Sequence, residues 1–125
     1  MNYIETPNAP APGGHYSQAV VANGFVFVAG QLPIGGDGEV VSGSAGEQLR
    51  VAFGNAVAIL AAAGAGVSDI VNATLFVQDI ALWPEVNATY SELLGEHRPA
   101  RTVAVSPQLH FGALVEIQVT AVAPG

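Results

Sequence analysis

The chain has 125 residues, of which 50% are hydrophobic, enough to bury one core without disulfide or metal staples. It carries no Lys and no Cys, which excludes side-chain Schiff-base chemistry, a thiolate nucleophile and a disulfide framework. A net charge of −7 repels phosphate backbones and argues against nonspecific nucleic-acid binding.

Residues 1–14 are rich in Pro, Asn and Gly and read as an extended arm. Two β-rich runs follow, Ser17 to Ala22 and Phe25 to Gly30. Between them lies Asn23-Gly24, a strong hairpin signal because both turn positions favour positive φ. Gly35-Gly36-Asp37-Gly38 reads as a loop and Glu39 to Val41 as a short strand. Ser44-x-x-Glu47 is a capping box. Behind it Leu49, Ala52, Phe53, Ala56, Ile59, Leu60 and Ala63 form a stripe of helical period, which Gly64 ends. From Ile70 to Gln78 the chain alternates, with Val71, Ala73, Leu75 and Val77 assigned to one face and Asn72, Thr74 and Gln78 to the other. A second helix starts near Pro84, turns Val86, Tyr90, Leu93 and Leu94 inward, and closes at Gly95. Arg101 to Ser106 and Leu114 to Val122 are the last two strands.

This order predicts a single α+β domain over 1–125, with two amphipathic helices on one face of a mixed sheet. The other sheet face carries Asn72, Thr74, Gln118 and Thr120, which are polar but uncharged. Only 10% of the residues are charged, against about 25% in a typical soluble domain. Both observations predict that much of the surface is covered by further copies of the chain. The longest apolar stretch, Val51 to Val67, is broken by Gly54, Asn55, Gly64 and Gly66 and is too short to span a bilayer. No charged start followed by an apolar run suggests a signal peptide, so the expected location is the cytoplasm.

Two charges stand out. Arg101, one of three cationic side chains, opens an apolar strand within Pro99-Ala100-Arg101-Thr102. Glu116 interrupts another within Leu114-Val115-Glu116-Ile117. Charges set in apolar strands have a partner or a task. A structural Arg–Glu pair and a small polar site both fit these residues. The guanidinium suits bidentate carboxylate binding, and the carboxylate suits acid/base work directly or through a water. Tyr16, after Gly13-Gly14-His15, either closes a pocket or simply packs, and Asn87 on the second helix is by itself an ordinary surface amide. His15, His97 and His110 lack metal-site spacing, so no metal site is expected.

Four stretches resemble the RidA family, also called the YjgF/YER057c/UK114 family of reactive-intermediate imine deaminases. They are His15-Tyr16-Ser17-Gln18-Ala19, Gly30-Gln31-Leu32-Pro33, Val86-Asn87-Ala88-Thr89-Tyr90, and a C-terminal block. That block runs from Pro99-Ala100-Arg101-Thr102 through Leu109 to Val115-Glu116-Ile117 and Ala121. The resemblance spans nearly the whole chain. It implies a chorismate-mutase-like fold and a homotrimer with active sites in the clefts between subunits. It also implies cofactor-free hydrolysis of 2-imino or enamine acids, of the 2-aminoacrylate type, to 2-keto acids and ammonia. Arg101 would anchor the substrate carboxylate and Glu116 would position or activate water. Tyr16, Ala29, Gly30, Asn87 and Val103 would line the pocket. The chain departs from the family pattern at several positions. His15 replaces a usual Pro, Ala29 a frequent Ser, Val103 a frequent Cys, His110 a Pro and Gln118 an acid. Ala29 and Val103 make the implied pocket more apolar, which leaves room for a larger or less polar imino acid. Two other readings remain open. One is a pathway-specific relative acting on an aminoacrylate or aminomuconate derivative. The other is a non-catalytic module that binds small carboxylates. Family members have also been linked to RNA cleavage, which the −7 charge and the absence of Lys disfavour.

Overall fold

The computed structural model describes residues 1–124. Six strands form one sheet: β1 (Asn2–Ile4), β2 (Ala19–Ala22), β3 (Phe25–Val28), β4 (Ile70–Val77), β5 (Ala100–Val105) and β6 (Val115–Val122). Two helices, α1 (Ala45–Ala62) and α2 (Trp83–Leu94), cover one face, giving the α+β architecture expected from the element order. The strand order is β1-β2-β3-β6-β4-β5, with β4 and β5 parallel and every other pair antiparallel. The last strand of the chain is thus inserted between β3 and β4, where it contributes Val115, Ile117, Val119 and Ala121 to the core.

α1 begins as its local sequence dictates. The Ser44 hydroxyl accepts from the Glu47 N–H at 3.2 Å, and the Glu47 carboxylate accepts from the Ser44 N–H at 3.4 Å. A contact from α2 adds to this cap: the Glu85 carboxylate accepts from the Gly46 N–H at 2.5 Å. The Ser44 hydroxyl and the Gly46 N–H hold the Glu85 carboxyl below its ordinary pKa. A side chain at Gly46 would meet Thr89 Oγ1 at 2.6 Å and Glu85 Oε2 at 2.8 Å, so this glycine sets how closely the helices approach. Gly64, at φ +80°, follows the C-cap Ala63 and ends α1 in the left-handed region.

Three expectations are corrected. The N-terminal arm is not wholly irregular, because Asn2–Ile4 pairs antiparallel with β2 as an edge strand. The rest of the arm is held by the buried Gln18 amide, which accepts from the Thr6 N–H at 2.7 Å and donates to the Thr6 and Pro10 carbonyls. Glu39–Val41 forms no strand, only a bridge between Ile34 and Val40, since Pro33 supplies no N–H to extend the pairing. Val71 faces outward: the register shifts between Ile70 and Asn72, so Ile70 takes the buried place. Leu93 turns inward as expected, packing half-buried against the core.

The sheet face opposite the helices is more apolar than Asn72, Thr74, Gln118 and Thr120 suggest. The register places Phe25, Phe27 and Val122 on it, all exposed, with the two rings 6.1 Å apart. Replacing Ser44 with Ala removes the side-chain cap of α1. Calorimetry is expected to show a loss of about 1 kcal/mol, a fall of roughly 4 °C in Tm.

Candidate functional site

The strand register separates the two charges singled out in the sequence. Arg101 pairs with Ala73, which pairs with Val119, and both partners are buried on the helix-covered face. Glu116 pairs with Phe76 and lies on the opposite face, since residues three apart on a strand alternate sides. The two positions are separated by two strand spacings, about 10 Å, and by about 10 Å along the strands. Among the described residues the ion pair is Arg50 with Glu92; Arg101 and Glu116 form none. The structural Arg–Glu pair within one chain is therefore absent, and the site separates into two halves.

The first half surrounds Arg101 on the edge strand β5. Trp83, Asn87, Tyr90 and Leu94 recur on α2 at spacings of four, three and four, so they share one helix face. The Arg101 guanidinium lies over the Trp83 ring at 4.7 Å and over the Tyr90 ring at 5.2 Å. Its Nη1 donates to Asn87 Oδ1 at 2.9 Å. The cation is thus held by ring faces and an amide, with no carboxylate neutralising it. Arg101 remains exposed, and most of its five N–H donors have no partner among the described residues. Tyr90, Leu94, His97, Arg98 and Arg101 line a cavity of about 430 Å³ beside it. Val103, two residues on, pairs with Leu75 and packs half-buried against the core.

The second half surrounds Glu116. The chain leaves β3 and returns to β6 at Gln31, whose N–H and carbonyl bond those of Ile117 at 2.7 and 3.0 Å. This bridge brings Gly30 against the Glu116 side chain. A Cβ on Gly30 would overlap Glu116 Oε2 and lie 3.3 Å from its Cδ. The missing side chain therefore makes the space the carboxylate occupies. Burial raises the Glu116 pKa, and the charge of His110 opposes that shift. Ala29 is fixed by its backbone: its N–H donates to the Gln18 carbonyl at 2.9 Å, and its carbonyl accepts from Gln31 Nε2 at 3.1 Å. Tyr16 is exposed, and its hydroxyl accepts from the Gly13 N–H at 3.2 Å. Tyr16, Gly30, Gln31 and Phe111 line one groove of about 930 Å³ with residues of the N-terminal arm.

Thus Arg101, Asn87 and Val103 stand on one side of the molecule, and Tyr16, Ala29, Gly30 and Glu116 on another. Sequence reasoning missed Trp83 as a support for Arg101 and treated Tyr90 only as core. The signal was present, because both lie on the helix face of Asn87, but which strand that face meets is not a local property.

A model of the family described as Endoribonuclease L-PSP matches residues 6–123. The chain belongs to this family, the YjgF/RidA family. It is 40% identical over 119 residues to a RutC family protein of Pyrococcus horikoshii, covering 94% of each chain. It is 38% identical over 122 residues to the 2-iminobutanoate/2-iminopropanoate deaminase of Salmonella typhimurium, covering 95% of each. Among solved structures, the E. coli YjgF gene product superposes with a TM-score of 0.91 at 37% identity, covering 98% of each chain. E. coli TdcF, solved with bound serine, gives 0.92 at 32% identity, covering 99% of this chain and 100% of that one. The YjgF/RidA family thus includes an imine deaminase, and its fold extends over the whole chain.

The contact between Gly30 and Glu116 can be tested directly. Gly30→Ala displaces only the end of a flexible side chain, so the circular dichroism spectrum should be retained. The displaced Glu116 carboxyl, followed by carbon NMR, is expected to titrate closer to its ordinary value as its burial is relieved.

Proposed function

We propose that this chain is a cofactor-free hydrolytic deaminase of 2-imino acids, and that its sites form between copies of the chain in a homotrimer. The observation that carries the reading is the pairing of two incomplete halves. One presents a guanidinium held by Asn87, Trp83 and Tyr90 and not neutralised. The other presents a half-buried carboxylate with a raised pKa packed against Gly30, which itself lines an open groove. Each lacks what the other supplies, and one chain cannot bring them together through its own sheet. The exposed Phe25, Phe27 and Val122 on the uncovered sheet face supply apolar area for the assembly. The name of the Salmonella relative supports the imine substrate, and the serine held by TdcF supports recognition of a small amino or imino acid.

The chemistry asks little of the protein. Arg101 binds the substrate carboxylate and fixes the C=N carbon relative to Glu116 of a neighbouring copy. Glu116 takes a proton from water as its oxygen adds to that carbon, while the C=N electron pair moves to nitrogen. That proton passes to the nitrogen to give the tetrahedral carbinolamine, whose hydroxyl proton is then relayed through Glu116 to the amino group as the C–N bond breaks and the C=O bond forms, so ammonia and the 2-keto acid leave. One imino acid and one water are consumed for each pair of products. The apolar Ala29 and Val103 suit side chains larger than a methyl group. The family description also names an endoribonuclease, but a chain of net charge −7 without Lys is poorly suited to a polyanion.

The test is a coupled assay in which threonine dehydratase generates the imino acid and keto-acid release is followed. The chain is expected to accelerate release. Arg101→Ala should lower kcat/KM by about 10² or more. Glu116→Gln should retain ligand binding and lower kcat by roughly 10²–10⁴. If the chain binds keto acid but shows no acceleration with threonine or serine as source, the reading falls and a ligand-binding role replaces it. A single chain of 12.7 kDa by light scattering would remove the shared site.

The shared site also predicts a shift with a definite sign. A neighbour's guanidinium favours the ionised Glu116 and opposes the effect of burial. In the assembled protein, Arg101→Ala is therefore expected to raise the Glu116 pKa. No change would place Arg101 and Glu116 in separate sites.

A further inference from the structure

Phe111 stands in the short turn His110–Gly112 that leads into β6, and belongs neither to the core cluster nor to a strand. It is 77% exposed, the most exposed of the large aromatic rings. Its backbone lies at φ 60° and ψ 23°, in the left-handed region. A bulky residue rarely adopts that conformation, because its Cβ crowds the following carbonyl oxygen. Asn23, the other non-glycine residue at positive φ among those described, is a type that tolerates it and sits in a hairpin turn. Phe111 thus bears two costs, an apolar ring in water and a strained backbone, where Gly would bear neither. Strain kept in this way collects at ligand sites.

Two contacts relate this turn to Glu116. Phe111 lines the groove of about 930 Å³ together with Gly30, and Gly30 packs against the Glu116 carboxylate. His110, whose ring lies 5.8 Å from that of Phe111, is close enough for its charge to act on Glu116. The groove is largely apolar. Leu32, Ile34 and prolines of the N-terminal arm line it, and Glu5 is the one charged lining residue among those described. The Asn55 amide donates to the Leu32 and Ile34 carbonyls at 3.2 and 2.9 Å, which holds that wall in place. With an acid and no Lys or Arg in this lining, the groove suits an uncharged apolar group and not a carboxylate.

We infer that Phe111 is a specificity-determining residue, its ring forming an apolar wall for the substrate's side chain while the reacting carbon lies at Glu116. The inference rests on the proposed function for the reaction, but not for the wall. The chain then favours 2-imino acids with large apolar side chains over the smallest ones. A side chain laid on the ring removes both apolar surfaces from water, a gain that grows with its length.

Calorimetry would measure the affinities of pyruvate, 2-oxobutanoate and 4-methyl-2-oxopentanoate, which share one head group and differ in side chain. In the wild type, affinity should rise roughly two- to fourfold for each added carbon. Phe111→Ala should lower it about tenfold for 4-methyl-2-oxopentanoate and leave pyruvate within about twofold. Phe111→Leu keeps an apolar wall and should restore most of the preference. Phe111→Gly should lose the preference with a Tm equal to or above that of the wild type, since the strain is relieved. When an amino-acid oxidase supplies the imino acid, Phe111→Ala should slow keto-acid release from leucine and not from alanine. Several results would overturn the inference. They are wild-type binding that is absent or indifferent to side-chain length, and a Phe111→Ala loss that is nil or equal for all three acids. A lower Tm in Phe111→Gly, or dissociation of assembled copies in Phe111→Ala by light scattering, would likewise assign the ring to the fold or the assembly. Length-dependent binding that Phe111→Ala abolishes, in a chain that hydrolyses no imine, would uphold the wall and remove the deaminase. Hydrolysis indifferent to the side chain would keep the deaminase and remove the wall.

Discussion

The register between β4 and β6 is the constraint on which the rest depends. Seven residue pairs lock these central strands, from Ile70 opposite Ala121 to Val77 opposite Val115. Side chains alternate with a period of two, so a slip of one residue would drive Glu116 into the core and expose Val115 and Ile117. Four fully buried residues on β6 oppose that slip, namely Val115, Ile117, Val119 and Ala121. At about 1.5–3 kcal/mol for each large apolar side chain kept from water, the correct register is strongly preferred. The half-buried Glu116 is thus held in place by its apolar neighbours. Its raised pKa follows from that position, and only the absence of a side chain at Gly30 makes the position possible.

The cationic half is built by a different device. Arg101 stands on the edge strand β5, where a long side chain would ordinarily be mobile in solvent. Here α2 presents two aromatic faces and one amide to it at helical spacing. This arrangement orients the guanidinium without neutralising it, as a carboxylate partner would. The buried Val86, Tyr90 and Leu94 seat α2 on the core, and Glu85 links it to the first turn of α1 by accepting from the Gly46 N–H. The cap of α1 and the placement of the functional arginine therefore both involve α2, through Glu85 at one and Asn87 at the other. A shift of α2 would carry Trp83, Asn87 and Tyr90 away together.

Charge distribution follows the same economy. The chain carries ten acidic residues and only three arginines, so a cation lacking a carboxylate partner is conspicuous. Arg50 is paired with Glu92 on the helix surface, while Arg98 and Arg101 face a shared cavity. The acidic remainder discourages binding of large polyanions but permits a small anion to reach a local positive site. An acidic protein with a confined cationic pocket is suited to discriminate a metabolite carboxylate from nucleic acid.

Local chemistry in the sequence by itself determined the Asn23-Gly24 turn, the capping box and stripe of α1, the glycine stops after both helices, and the alternation of β6. Each depends on hydrogen bonds or side-chain periods spanning a few residues, so neighbours along the chain are enough to specify them. Arg101, Glu116 and Asn87 were legible as candidates because their residue types conflict with, or stand out from, their immediate context and match a family motif. Only the tertiary structure decided that β6 lies between β3 and β4, that Asn2–Ile4 completes an edge, and that Val71 turns outward at a register shift. It also decided that Arg101 and Glu116 occupy opposite faces and that Trp83 and Tyr90 hold the guanidinium. These features arise from contacts between residues far apart in the chain. Non-local strand pairing and helix docking choose among many faces and registers that local propensity leaves nearly equivalent.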